Sequence, residues 1–446
     1  MIMDSECGGN AIEHRGMERK NKIRKFVILL FWLALWYGLA VAVNNKILLA
    51  DPAETLRTMT AMWGEGGFYL VVAGSLMRIG AGFFLGFVTA MLLAMGSWRF
   101  PLLEEVLAPV LNLVKAIPVA SFVVLLLIWW GSSFLAVATS FLVVLPNIYI
   151  NILEGLKSTD RRLLEMAKVF RMPFWNRFFY IYRPALRPFL YGSLRISLGM
   201  CWKSGIAAEV IGTPDYSIGE RMYLSKVYLD TAGVFAWTAV IVLLSILSEK
   251  CILGLAGAFF AWEPGCKTQQ PHKAVGYIKC RDIIKSYDGK KVLYNVSTMY
   301  HPGQTYYLTT PSGSGKTTWL RILAGLAEPD SGMLEASFAC GMVFQEDRLC
   351  EEYDGVKNVE LVTGDKERAQ EALRQLLDEE ALHKPCGQLS GGMKRRVALA
   401  RAMESEAEYI LLDEPYTGMD AETRLRAEEY IRRRQNNRIL IIATHI

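Results

Sequence analysis

Residues 310–318 read TPSGSGKTT, between the apolar run TYYLTT and the helix-forming run TTWLRILAGL. A strand, a Gly/Ser-rich turn and a helix in that order make a phosphate loop. Successive backbone N–H groups point inward, and the helix N-terminus adds positive potential. Ser312, Gly313, Ser314, Gly315, Lys316, Thr317 and Thr318 would line it. Lys316 is placed to reach the β- and γ-phosphates, and Thr317 to ligate Mg²⁺. The pattern G-x-x-x-x-G-K-[ST] asks for glycine at 310, where this chain has Thr310.

Further motifs follow in order: GMVFQ at 341–345, LSGGM at 389–393, YILLDEP at 409–415, TGMD at 417–420 and TH at 444–445. LSGGM opens the helical run MKRRVALARAM, so Ser390, Gly391 and Gly392 sit at a helix N-terminus suited to an anion. YILLDEP is an apolar strand ending in two carboxylates. Asp413 is a candidate Mg²⁺ ligand and Glu414 a candidate general base.

Together these stretches resemble the ATP-binding cassette of ABC transporters. The resemblance implies an α/β P-loop domain over 277–446 with ATP and Mg²⁺ as cofactors. It implies that Gln345 reaches the metal and the attacking water, and that His445 contacts the γ-phosphate. Asp420 matches the D-loop, and Tyr287 is the aromatic candidate for stacking on adenine. Ser390, Gly391 and Gly392 would bind the γ-phosphate of ATP held by an opposite subunit, so function implies paired cassettes. Between Gly332 and Gly341 the chain is short for the family, and it ends one residue after His445. Either the cassette is minimised or the product is truncated.

The first part of the chain is of another kind. A bilayer crossing needs about 20 apolar residues. Six stretches qualify, 26–44, 68–96, 103–131, 133–153, 186–212 and 233–262, which predicts an all-α polytopic membrane domain over 26–262. Gly80, Gly82 and Gly86 are small residues that let helices approach closely. Basic residues crowd the 1–25 tail and the 154–185 connection, whereas 45–67 and 213–232 are mixed or acidic. The positive-inside rule then places the N-terminal tail, the 154–185 loop and the cassette in the cytoplasm. The run at 26–43 is long for a signal sequence and reads as a retained anchor. Residues 263–276, EPGCKTQQPHKAVG, read as a linker.

The 154–185 connection contains LLEMAKVFRMPFWNRFFYIYRPALRP. It resembles the EAA loop of ABC importer permeases, where a short helix docks on the ATPase. Glu165, Ala167, Ile181 and Pro184 match that pattern; Arg171 stands where it has glycine and Arg183 where it has leucine. Coupling is therefore expected through Glu165, Ala167 and Pro184. SLMRIGAGFFLG at 75–86, the 108–131 stretch and GSLRISLGMCWKSGIAAEVIG at 192–212 resemble nitrate/sulfonate/taurine-type permeases.

Arg78, Arg195, Lys203 and Glu209 lie within or near apolar spans, where a charge costs about 2.5–3.5 kcal/mol. They either pair or snorkel, or they line an aqueous path suited to an anion. The net charge of +5 is small, and the basic residues flank apolar runs, which excludes a nucleic-acid partner in favour of the lipid bilayer. Eight scattered cysteines form no C-x-x-C pair, so no metal or disulfide framework is expected.

The expected whole is a fused ABC importer half-transporter, hydrolysing ATP to take up a small solute, anionic by the family resemblance. Its expected partners are a second copy or a paralogous half-transporter and an extracytoplasmic solute-binding protein. A degenerate, non-hydrolysing regulatory or structural subunit paired with an intact partner is the alternative, favoured by Thr310, Arg171 and the abrupt C-terminus and opposed by intact Lys316, Asp413, Glu414, Ser390 and His445. An exporter is disfavoured by the EAA-like loop.

Overall fold

The computed structural model describes residues 6–45, 47–266, 276–311, 313–336 and 339–444, with 6–22 as backbone alone. The chain divides into two compact units: residues 1–157 with 188–259, and residues 158–187 with 260–446.

The first unit is helical. Its elements are α1 (Glu6–Val43), α2 (Pro52–Trp63), α3 (Phe68–Arg99), α4 (Pro101–Ala116) and α5 (Val119–Lys157). After α6 (Arg161–Val169), α7 (Phe174–Arg177) and a π-helical turn (Phe178–Tyr182), the chain continues through α8 (Arg183–Gly212), α9 (Ile218–Val227) and α10 (Thr231–Ala261). Among the described residues four helical segments are long and apolar enough to cross a membrane: Ile23–Val43, α3, α5 and α10. Helix α8 has the length, but Arg183, Arg187, Arg195, Lys203 and Glu209 interrupt its apolar run.

One expectation about the spans needs correction. The 103–131 stretch is not one helix: α4 stops at Ala116, and Ile117 is extended (φ −76°, ψ 129°) before Pro118. Proline disfavours helical backbone in the residue before it, which a hydropathy window does not register. The expected 131/133 boundary holds: α5 is two helices joined at Gly131, whose backbone is not helical (φ 72°, ψ −176°). Of the three glycines, Gly82 and Gly86 are buried where α3 meets α5, against Val137, Ser140 and Val144; nothing lies within 4 Å of a Cβ added at Gly80.

Most of the span charges are paired. Arg78 Nη1 lies 3.6 Å from Glu209 Oε1, and Arg78 Nη2 donates to the Asp215 carbonyl at 2.7 Å. Glu209 also accepts from Ser75 Oγ at 2.6 Å. Arg195 pairs with Glu249 at 3.1 Å. Arg78 and Arg195 therefore no longer argue for an anion path; Lys203 is exposed on α8.

The second unit joins the 158–187 segment to an α/β domain. An antiparallel sheet has the order β2-β1-β4, from β1 (Ile278–Tyr287), β2 (Lys290–Tyr300) and β4 (Ser331–Glu335). A parallel sheet has the order β3-β7-β6-β5, from β3 (Thr305–Leu308), β5 (Cys340–Val343), β6 (Tyr409–Asp413) and β7 (Ile439–Ala443). Every residue of β5, β6 and β7 is buried, as expected for parallel strands covered on both faces. The helices are α11 (Lys316–Leu323), α12 (Gly355–Thr363), α13 (Lys366–Arg374), α14 (Glu379–Leu382), α15 (Gly391–Glu404) and α16 (Ala421–Arg434). One core holds the unit together. Met166, Ala167, Val169, Phe170 and Tyr180 of the 158–187 segment are buried in the same cluster as Leu320, Val343 and Ile410.

Candidate functional site

Strands β3, β5, β6 and β7 run parallel, so their C-terminal ends share one edge of the sheet. Loops beyond that edge form the crevice where open α/β sheets bind ligands. Residues 310–315 follow β3, Gln345 follows β5, and Asp413 ends β6 with Glu414 next. The expected site residues thus converge because of strand order, although they span more than a hundred positions.

The loop after β3 turns through two left-handed glycines, Gly313 (φ 81°) and Gly315 (φ 91°). Gly315 also has no room for a side chain, since an added Cβ would lie 2.9 Å from Val292 Cγ1. Thr310 does not share the left-handed backbone, so the position needs no glycine. Its hydroxyl lies 2.6 Å from Ser314 Oγ. Lys316 opens α11 and donates to the carbonyls of Thr310 and, at 3.2 Å, Pro311. The ammonium is thereby held within the curve of the loop. Thr317 and Thr318 occupy the first turn of α11.

Asp413 is buried, and its Oδ2 has no hydrogen-bond partner. Burial pushes its carboxyl above the ordinary range; a hydrogen bond with Thr317 works against that shift. A buried carboxylate oxygen left over beside a threonine hydroxyl is a hard-oxygen pair. Mg²⁺ takes one or two such protein ligands and completes its shell with water and phosphate oxygens. The residues fit Mg²⁺ on that ground. Glu414 stands next, at φ 50°, a backbone region that non-glycine residues rarely adopt. Its N–H donates to the Ala443 carbonyl at 2.9 Å, which fixes the turn to the end of β7.

Ser390 caps α15, its hydroxyl accepting from the Met393 N–H. Gly391 has open space around it, while a Cβ on Gly392 would collide with the Gly418 carbonyl. The TGMD segment therefore lies against the start of α15, and Asp420 caps α16 by accepting from the Thr423 N–H at 2.8 Å.

Helix α15 contributes two arginines that the sequence reading missed. Arg395 is buried, and its guanidinium binds the carbonyls of Phe344, Gln345 (3.1 Å) and Asp413 (3.4 Å) and the Asp347 carboxylate (3.0 Å). It fixes the Gln345 loop to the Asp413 strand end. Arg401, also buried, donates to the carbonyls of Asp347 (3.0 Å) and Arg348 (2.9 Å), and its guanidinium lies over the Phe170 ring. Burial lowers its pKa to about 10. The only sequence signal was position: Arg401 falls inside the apolar run VALARAM and Arg395 two residues before it.

Arg401 thereby orients the chain around Arg348, which reaches the 158–187 segment. Glu165 accepts from Arg348 Nη1 at 2.8 Å and from Arg321 Nη1 and Nη2 at 3.2 and 3.1 Å. Burial would raise the Glu165 pKa, but these two guanidinium partners outweigh it and lower it. Arg162 pairs with Glu346, the residue after Gln345, at 3.2 Å. Ala167 is buried in the shared core, and Pro184 lines a cavity of about 680 Å³ beside the Gln345 loop. Arg171 adopts φ 47°, so the turn expected to need glycine forms with arginine in a left-handed conformation.

Tyr287 is exposed at the end of β1, with Lys285 Nζ 5.4 Å from its ring centroid. Ser312 and His445 lie outside the described residues, as do 267–275 of the expected linker.

Residues 293–417 match the family described as "ABC transporter". Residues 82–253 match "Binding-protein-dependent transport system inner membrane component". An aliphatic sulfonates import ATP-binding protein of Pseudomonas fluorescens is 40% identical over 173 residues, which are 38% of this chain and 67% of that protein. Its counterpart in Corynebacterium glutamicum is 39% identical over 175 residues, 37% of this chain and 72% of that one. For another, in Pseudomonas syringae, the chain spans 60% of the relative's length. A solved dimeric ATP-binding cassette bound to ADP and Pi is 26% identical, covering 38% of this chain and 88% of that one, with a TM-score of 0.36.

Proposed function

The chain belongs to the ABC transporter family, with a permease domain and an ATP-binding cassette on one polypeptide, and from that premise we propose that it is half of an importer for a small organic anion of the sulfonate class. It is an integral membrane protein by its permease domain and apolar helices. In this reading the cassette and the N-terminal tail face the cytoplasm, supported by the basic residues of the tail and of 154–185. Two chains, or one chain and a paralogue, assemble so that Ser390, Gly391 and Gly392 of one cassette meet the ATP of the other. A separate solute-binding protein delivers the cargo.

The observation that carries the reading is the continuity of the second unit. The buried Asp413–Thr317 pair is linked through Arg395 to the Gln345 loop, and that loop to Glu165 of the EAA-like element. In the catalytic step, Lys316 and the loop N–H groups hold the phosphates, while Asp413, Thr317 and Gln345 would hold Mg²⁺. That ion, when bound, neutralises charge on the transferring phosphoryl group. Glu414 orients the attacking water and accepts its proton, and His445 contacts the γ-phosphate. Tyr287 presents a ring to the adenine. The anion preference rests on the relatives' names and on Lys203 of α8, an exposed cation in a span-length helix.

The decisive measurement is ATP turnover in purified, lipid-reconstituted protein. Glu414→Gln is expected to keep ATP binding and lose at least about 10²-fold in turnover. Wild-type turnover no higher than that of Glu414→Gln would replace this reading with the regulatory-subunit alternative. Against that alternative, Thr310 is not among the residues with left-handed backbone, and Arg171 adopts φ 47° where the importer pattern has glycine.

A further inference from the structure

The chain leaving α10 enters the second unit at Phe260 and does not simply hang between domains. Arg183 Nη1 donates to the Trp262 carbonyl, and the Tyr180 hydroxyl donates to the Pro264 carbonyl. Phe179 meets the Trp262 ring edge-on, with centroids 5.3 Å apart. Arg183 is 2% exposed, among the largest fully buried side chains of the molecule. Its guanidinium lies over the Phe179 ring at 5.4 Å, and Nη2 lies 3.5 Å from the Tyr353 hydroxyl of the cassette. Tyr180 packs edge-on against Tyr353 at 5.2 Å.

Arg183 thus touches three segments distant in sequence: the EAA-like element, the exit from α10 and the cassette. Leucine, which the importer pattern carries at this place, would fill the space and donate to neither oxygen. Fully extended, residues 267–277 alone would reach about 35 Å, so linker length by itself does not decide which cassette an element meets.

We propose that Arg183 is a positioning residue that commits each EAA-like element to the cassette of its own chain, by pinning the chain's exit at Trp262 and Pro264 beside that element. In a two-chain assembly, docking is then in cis. The proposal rests on the two-chain reading above, but its test reads crosslinks and needs no transport, so the two can fail separately.

The test uses the full chain in detergent, with Cys7→Ser and Cys251→Ser, Cys251 being the exposed thiol among the described residues. Arg162→Cys and Glu346→Cys are placed either on one chain or split between two differently tagged, co-expressed chains. A short bismaleimide is then applied. Same-chain crosslinking with no product from the split pair is the expected result. A split-pair yield matching the same-chain yield overturns the proposal. Adding Arg183→Leu should lower the same-chain yield about tenfold, the cost of one charge-assisted hydrogen bond, and Arg183→Lys should restore part of it. Unchanged ATP affinity in both variants shows that the cassette is folded, and an Arg183→Leu yield equal to wild type under that control also overturns the proposal.

Discussion

Glu165 and Asp413 are carboxylates of the same compact unit, each close to cations, and their surroundings differ in sign. Glu165 is ringed by Arg321 and Arg348, and its pKa falls despite partial burial. Asp413 is more deeply buried, faces Thr317 and the Glu414 charge, keeps one oxygen without a partner, and its pKa rises. A carboxylate whose oxygens are already served is a fastener. One that is buried and incompletely served is costly until a further cation arrives. The contrast separates a joint that holds two segments together from a site that waits for a ligand.

The strongest way to break this contrast is Asp413→Asn. The raised pKa means that the folded state favours protonated Asp413 over the ionised form. Its contribution is present below the ordinary 3.8 and lost as pH rises through the raised value. At neutral pH, without Mg²⁺ and ATP, the neutral amide should therefore stabilise the cassette, by about 0.5–2 kcal/mol in a thermal melt. The same change should lower Mg²⁺-dependent hydrolysis by about 10²–10³-fold, several kcal/mol of transition-state stabilisation. A variant that loses turnover together with apo stability would make Asp413 a structural residue.

Glu165→Gln should behave in the opposite way. It leaves Arg321 and Arg348 facing a neutral group and should weaken docking of the 158–187 segment by about 1–3 kcal/mol. The readout is proteolysis of that segment, with ATP affinity unchanged. Because the Glu165 pKa is lowered, its contribution is complete above the ordinary 4.5 and disappears as pH falls through the lowered value. Protection of the segment should accordingly be flat through neutrality and fall only under acid conditions. A decline between pH 8 and 6 would point to another group.

The smallest effect belongs to the turn beside the joint. Arg171 holds a left-handed backbone at φ 47°. Arg171→Gly should stabilise the unit by about 0.5–1 kcal/mol, the relief of that conformation less the entropy glycine adds to the unfolded chain. A loss of stability in a chemical melt would mean that the side chain's own contacts outweigh the strain.

The sequence was most legible where backbone geometry restricts residue choice. Gly315 and Gly392 can hardly be anything else, and the order of the motifs around them is that of the cassette. It was least legible where a common surface residue is used inside. Arg183, Arg395 and Arg401 are buried, yet composition gives arginine no inward preference, and each binds mainly carbonyl oxygens that carry no sequence signature. The partner of Arg195 was missed for a related reason: Glu249 lies on another helix and meets it only after folding. The break at Ile117 was written in the sequence as Pro118 but hidden by a measure that counts only apolarity.

The left-handed backbone at Glu414 filters which substitutions natural drift can sample there. A replacement must satisfy chemistry and also tolerate φ 50°, which β-branched side chains do not. Valine, isoleucine and threonine are removed as folding failures before any test of activity, whereas aspartate, asparagine and glycine keep the turn. A deep mutational library scored for abundance would then show a gap at the β-branched residues, while one scored for activity would show glutamate alone. The distance between those two profiles would measure how far shape, apart from reactivity, has confined this position.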